Sequence, residues 1–229
     1  MTSRRDERER RREERLAQEQ AEQRAAARRR RLKLAGGAVA LVAIAVVAVV
    51  VLSTGHEKPR SPAHNPALLA STAGEATGRP VNGIQCQTTE QVLFHIHAHL
   101  AVFVDGRQRL VPEGIGITPP RTEQRTPAGP FVAGGSCLYW LHSHTRDGII
   151  HVESPLQRNY TLGDYFAIWS QPLGPRQVGP ARGPVIAYLN GRRVLGNPAS
   201  IPLKPHAVIQ LDVGSPAAPP APFTFPTGL

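Results

Sequence analysis

Sulfur is scarce in this 229-residue chain, which holds one methionine, Met1, and two cysteines, Cys86 and Cys137. With Met1 at the far end of a charged arm, a blue-copper site with an axial methionine is excluded. Aromatic residues make up 5%, and none falls among the 13 positive and 7 negative side chains of residues 1–33. A nucleic-acid surface would interleave aromatics with its basic residues, so the arm is read as making no such contact. No H-E-x-x-H, G-x-S-x-G or Walker sequence is present, and those local catalytic signatures drop out. The length admits one or two ordinary domains and excludes a large multidomain enzyme.

Charge is absent altogether from Leu34 to Ser53. At about 1.5 Å per residue, such a run matches a hydrocarbon core of roughly 30 Å, so residues 34–53 are expected to form a single transmembrane helix. A cleaved signal peptide is the alternative, but the charged stretch ahead is long and no A-x-A site follows. Arg28, Arg29, Arg30, Arg31 and Lys33 abut one end, while Thr54 to Lys58 at the other end is nearly neutral. The positive-inside rule then keeps residues 1–33 cytoplasmic and places the C-terminal part outside, on a single-pass cell-membrane protein. Residues 4–24 mix Arg with Glu at i,i+4 spacing and offer no apolar face, a solvated arm. The arginine cluster is expected to touch anionic lipid headgroups. The net charge of +10 therefore describes mainly a tail, and a uniformly basic globule is excluded.

Residues 54–81 are rich in Pro, Ala and Ser and read as a linker, and residues 215–229 read as a Pro-rich tail. Between them, residues 82–214 are long enough for one core. Phe94 to Val104 alternates strictly, with Phe94, Ile96, Ala98, Leu100 and Val102 on one face and His95, His97 and His99 on the other. Asp105-Gly106 then reads as a two-residue hairpin turn, and Asn190-Gly191 repeats the design at an offset of 85. A third hairpin is expected at Asp147-Gly148. Thr161 to Ser170 reads as the one helix, with Thr161 as N-cap and Asp164 three residues on. Val208 to Val213 makes a final strand. The expected class is α+β, mostly antiparallel hairpins with one packed helix, preceded by the membrane helix. In an oxidising compartment Cys86 and Cys137 default to a disulfide, the alternative being a thiolate copper ligand.

Nine histidines occur, and six sit in two short strands. With Asp147-Gly148 as a two-residue loop, His144 faces His151 and His142 faces Glu153, all on one side of the sheet. Opposed residues stand about 4.5–5.5 Å apart, from which two imidazoles can converge on one ion. The candidate ligands are therefore His95, His97, His99, His142, His144 and His151, with Glu153 as ligand, outer acceptor or base. His56, His64 and His206 fall in linker or loop and are left out. Partly exposed strand histidines, or a pH-sensitive cluster that repels itself near pH 6.5, are the competing readings. Nitrogen-rich ligation suits a divalent transition metal, and copper or zinc is the expectation.

Four segments, His95 to Leu100, Cys137 to His144, Gly148 to Pro155 and Thr161 to Trp169, resemble a family of bacterial and archaeal extracytoplasmic domains. That family carries an H-I-H-A-H-L strand, a C-L-Y-W-L-H-x-H segment, a G-[IV]-I-H-[IV]-E-S-P strand and a T-L-G-x-[FY]-F-x-I-W helix. The resemblance covers about residues 82–214, implies an extracytoplasmic domain, and brings no established activity. The functional expectation is a membrane-anchored, extracytoplasmic metal-binding domain. A metal-dependent enzyme with Glu153 as general base, or an envelope interaction or pH-responsive module without metal, remain the alternatives.

Overall fold

A computed structural model describes residues 66–127 and 129–229. In chain order the elements are β1 (Cys86–Gln87), β2 (Phe94–Val104), β3 (Arg107–Arg109), β4 (Thr122–Thr126), β5 (Gly129–Gly134), β6 (Leu138–Tyr139), β7 (Leu141–His142) and β8 (Ile149–Ser154). After them come α1 (Leu162–Ile168), β9 (Leu173–Gly174), β10 (Gln177–Val178), β11 (Ala181–Arg182), β12 (Val185–Leu189), β13 (Arg192–Val194), a short 3-10 turn (Pro198–Ser200) and β14 (Ala207–Val213). The α+β expectation is corrected by this order. Strands dominate, and the single α-helix among the described residues is seven residues long, so the fold is mostly β. The membrane helix expected at residues 34–53 is no part of the described fold. It lies outside the described residues, as do the 1–33 arm with Arg28 to Arg31 and the start of the expected linker. Among the described residues, no helix is long and apolar enough to cross a membrane.

The main sheet runs β13-β12-β14-β2-β8-β7, with β3 also paired to β2. Its spine is β2, which pairs antiparallel with β8 along Phe94 to His99 and parallel with β14 along Ala98 to Val104. The parallel pair departs from an all-hairpin design, and it follows from the long return through α1 and the β9–β11 ribbon before β14 re-enters the sheet. Two-residue turns close both expected hairpins. Val104 stands opposite Arg107 and Leu189 opposite Arg192, with Asp105, Gly106, Asn190 and Gly191 all at positive φ. Only residues that tolerate the left-handed region suit all four places.

One face of β2, β8 and β7 builds the core. Ala98, Leu100, Leu141, Ile150 and Val152 are buried with Tyr165, Phe166, Ile168 and Trp169 from α1 and its C-cap. Each such large side chain contributes about 1.5–3 kcal/mol over an exposed one. The helix starts where the sequence places it. The Thr161 hydroxyl accepts the Asp164 amide at 3.2 Å and the Asp164 carboxylate accepts the Thr161 amide at 3.0 Å, a reciprocal capping box.

The flanks of the domain are packed as well. Leu69 is buried in the core and its amide donates to the Leu110 carbonyl at 2.8 Å, while the Trp169 indole donates to the Ser71 carbonyl at 2.9 Å. Buried Glu75 pairs with Arg121, which also donates to the carbonyls of Ile117 and Gly114 at 2.6 and 2.9 Å. This clamp shapes the Gly114–Thr118 loop. Residues 215–229 carry no regular element, yet the Gln210 side chain accepts from the Ala221 amide at 2.9 Å and Asp212 accepts from the Ala218 amide at 2.7 Å. The tail is thereby laid across the sheet as a strap.

Candidate metal centre

The alternation of β2 and β8 that fills the core on one face must place His95, His97, His99, His151 and Glu153 on the other. Register does the rest. His142 stands opposite His151 across β7–β8, and His151 stands opposite His97 across β8–β2. Three imidazoles therefore lie in one row over three adjacent strands. In the neighbouring row His95 stands opposite Glu153.

This register corrects the one expected at Asp147-Gly148. Those two residues do not form a two-residue hairpin loop, because residues 143–148 all lie between β7 and β8. The Asp147 carboxylate accepts the Ile149 amide at 3.0 Å, and the Ser143 hydroxyl donates to the Ile149 carbonyl at 2.8 Å while meeting the Tyr165 hydroxyl at 2.6 Å. The longer connection shifts β7 by two residues, so His142 rather than His144 opposes His151. An even shift keeps the same face. His144, beyond the end of β7, reaches the cluster from the connection.

The position of β7 is enforced from its other edge. The Gly114 amide donates to the Ser143 carbonyl, Ser143 donates to Ile115, and Tyr139 donates to Gly116. At Gly116, with φ of 75°, a Cβ would stand 2.4 Å from the Leu141 carbonyl oxygen and 3.1 Å from the His142 Cβ. Only glycine allows that loop to lie so close under the histidine strand.

Two rings have their tautomers set by backbone. His142 Nδ1 donates to the Tyr139 carbonyl at 2.8 Å, and His144 Nδ1 donates to the Val132 carbonyl at 2.6 Å. In a neutral imidazole the other nitrogen then carries a lone pair. Those two lone-pair nitrogens, Nε2 of each ring, face one another at 3.1 Å. Val132 also donates its amide to the His144 carbonyl, and Phe131 of β5 stacks on the His144 ring with centroids 4.8 Å apart. The β4–β5 hairpin thus holds His144 in place.

A second close set surrounds Glu153. Its Oε1 lies 3.1 Å from His95 Nε2 and 3.4 Å from His151 Nδ1, and His95 Nε2 lies 3.0 Å from His97 Nε2. Its Oε2 is buried without a hydrogen-bond partner and points toward His142 Nε2 at 3.9 Å. His142 is 1% exposed and Glu153 4%, whereas His95 at 41% forms an open edge. Burial is the leading cause that depresses His142 and His151 to about 3 each, with the charges of neighbouring histidines adding to it. His97 is lowered by burial and then by His95. The rings are thereby held neutral, the form that ligates metal.

Of the expected ligands, His95, His97, His142, His144, His151 and Glu153 converge. Ligand atoms of His95, His97, His151 and Glu153 lie within 4.8 Å of one another, and so do those of His142, His144 and His151. These buried His and Glu groups could hold a metal ion. His99 belongs to neither group. Although it shares the face, its ring is stacked under Phe223 at 3.6 Å between centroids and its Nδ1 is buried without a partner. Burial lowers its pKa to about 4. Glu90 is the candidate donor that sequence reasoning passed over. Its Oε1 lies 3.7 Å from His144 Nε2, and it groups with His142 and Glu153. It sits in the irregular Thr88–Leu93 segment, where no periodicity marks a face. The one available signal is its place four residues after Cys86. The Cys86–Cys137 disulfide ties that segment to the chain leading into His142 and His144.

No family model matches this chain, and no curated protein or solved structure matches it either.

Proposed function

We propose that this domain binds transition metal, copper or zinc, with ligands drawn from the imidazoles of His95, His97, His142, His144 and His151 and the Glu153 carboxylate. The observation that carries the reading is the facing pair of His142 and His144 Nε2 atoms at 3.1 Å, each ring having already spent its Nδ1–H on a carbonyl. Two lone pairs at that distance repel unless a cation lies between or beside them. Beside this pair, His95 and His97 Nε2 stand 3.0 Å apart next to the Glu153 carboxylate, so further donors converge within reach. Donors bound at about 2.0–2.1 Å to one tetrahedral ion stand about 3.3 Å apart, close to these separations. Imidazole-rich sets with one carboxylate suit zinc and copper. The disulfide supports a location in an oxidising compartment outside the cytoplasm.

The test is to strip the purified full-length chain with chelator and follow its thermal unfolding while adding Zn²⁺ or Cu²⁺. Free metal at a hundredfold excess over Kd should stabilise by about 2.7 kcal/mol. The gain should be clearly reduced in His144→Ala and kept in His206→Asn, a control that tolerates the left-handed backbone of His206. Equal responses of the two variants, or no response of the natural chain to either metal, would sink the reading.

A further inference from the structure

We infer that the cluster holds two ions side by side, with the Glu153 carboxylate bridging them. The inference rests on the metal-binding reading above and adds stoichiometry and a division of ligands. Seven side chains, counting Glu90, converge here, more donors than a four-coordinate ion accepts. They also divide by distance. His95, His97 and His151 gather on the Oε1 side of Glu153, while His142 and Glu90 gather on the Oε2 side and His144 stands against both. Neither His95 nor His97 falls in a common group with His142 or His144.

The first half makes a four-donor set, and the second a three-donor set with His144 at its side. The first comprises Nε2 of His95, Nε2 of His97, Nδ1 of His151 and Oε1 of Glu153. The second comprises His142, Glu90 and Glu153, whose ligand atoms lie within 4.8 Å of one another, with His144 Nε2 beside them at 3.1 Å from His142 Nε2 and 3.7 Å from Glu90 Oε1. The orphaned state of Glu153 Oε2 is the sharpest pointer. A buried carboxylate oxygen with no donor near it is costly unless a cation answers it. A bridging carboxylate spans two ions about 3.5–4 Å apart, the spacing common to two-metal centres. The two carboxylates, Glu153 and Glu90, lower the net charge of a pair of divalent ions. Glu90 at 42% and His95 at 41% exposure give each half one donor that meets solvent.

Stoichiometry is the direct test. The full-length chain, stripped and reloaded with Zn²⁺, should bind two equivalents by elemental analysis, and with Cu²⁺ should show a spin-coupled pair by electron paramagnetic resonance. His95→Gln and His144→Gln should each keep one equivalent and give an uncoupled copper signal. Glu153→Gln should uncouple the copper spins even where both ions remain. One equivalent in the natural chain, lost in both histidine variants, would overturn the two-ion arrangement and leave the metal-binding reading standing. No bound metal would overturn both. The unfolding midpoints of the stripped variants, compared with that of the stripped natural chain, separate lost ligation from lost folding.

Discussion

On one face of β2, β8 and β7, Ala98, Leu100, Leu141, Ile150 and Val152 are sealed against α1; on the other, His97, His142, His144 and Glu153 are nearly as dry. Burial alone does not separate the two faces. What separates them is whether the buried groups are answered. The apolar side chains need only neighbours, and the helix supplies them. The polar face leaves Glu153 Oε2 without a hydrogen-bond partner and sets the lone-pair nitrogens of His142 and His144 nose to nose. A face that is dry and unsatisfied is unfavourable by itself and becomes favourable with a cation. A fold stabilised by its first face can carry the second as a prepared site.

Acid should break the histidine face first and most strongly. The unfolded chain takes up protons near pH 6.5, whereas His142 and His151 in the folded domain resist them down to about 3. The folded pKa values are depressed, so stability is full above about pH 6.5 and is lost as pH falls through the window toward 3. With two such groups the loss by about pH 4.5 is on the order of 5 kcal/mol, comparable to the whole stability of a small domain. Urea titrations of the metal-free protein between pH 7.5 and about 4.5 check this. A midpoint that stays flat across that range would show the rings are not held neutral.

The apolar face should answer to volume and to nothing else. Ile150→Ala removes a fully buried side chain from the strand position next to His151 and should destabilise by about 2–5 kcal/mol. The same loss should be measured with and without metal, and each folded molecule should retain its full metal content. A cost of Ile150→Ala that changed with metal would show that the two faces are coupled through β8.

Sequence reading reached the features that local rules dictate. Alternation by two placed His95 and His97 on one face with no knowledge of a partner strand. Asp105-Gly106 and Asn190-Gly191 were legible because few residues accept two successive left-handed positions. The capping pair Thr161 and Asp164 marked the start of α1, though one short helix on so many strands makes a mostly β fold rather than α+β. What escaped was nonlocal. Asp147-Gly148 looked like the other two turns, but the Ser143 hydroxyl bonds and the Asp147 side chain build a longer connection. The parallel seating of β14 on β2, the Val132 carbonyl that fixes His144, and the approach of Glu90 from an irregular loop all join residues far apart in the chain. No local pattern encodes those meetings, so the histidine face could be named from sequence while its register and rim could not.

His99 gives the smallest and most discriminating test, because it sits on the same strand face as His95 and His97 yet outside all three groups of converging donors. Phe223 from the C-terminal strap stacks on it with rings 9° from parallel, and Phe225 in turn stacks on His206. At Gly148, with φ of 83°, a Cβ would stand 2.3 Å from the Leu100 carbonyl and 3.2 Å from His99 Nε2, so the loop also closes over this ring. Strap and loop together pack against the ring. Phe223→Ala should therefore lower stability by about 0.5–1.5 kcal/mol, the scale of one aromatic pair. His99→Gln should leave metal content unchanged while His144→Gln lowers it. Elemental analysis of the variants side by side checks this. A loss in His99→Gln matching that in His144→Gln would place His99 among the ligands and erase the boundary drawn along this face. An unchanged content would show that strand alternation offers more histidines than the site takes, and that the C-terminal strap selects among them.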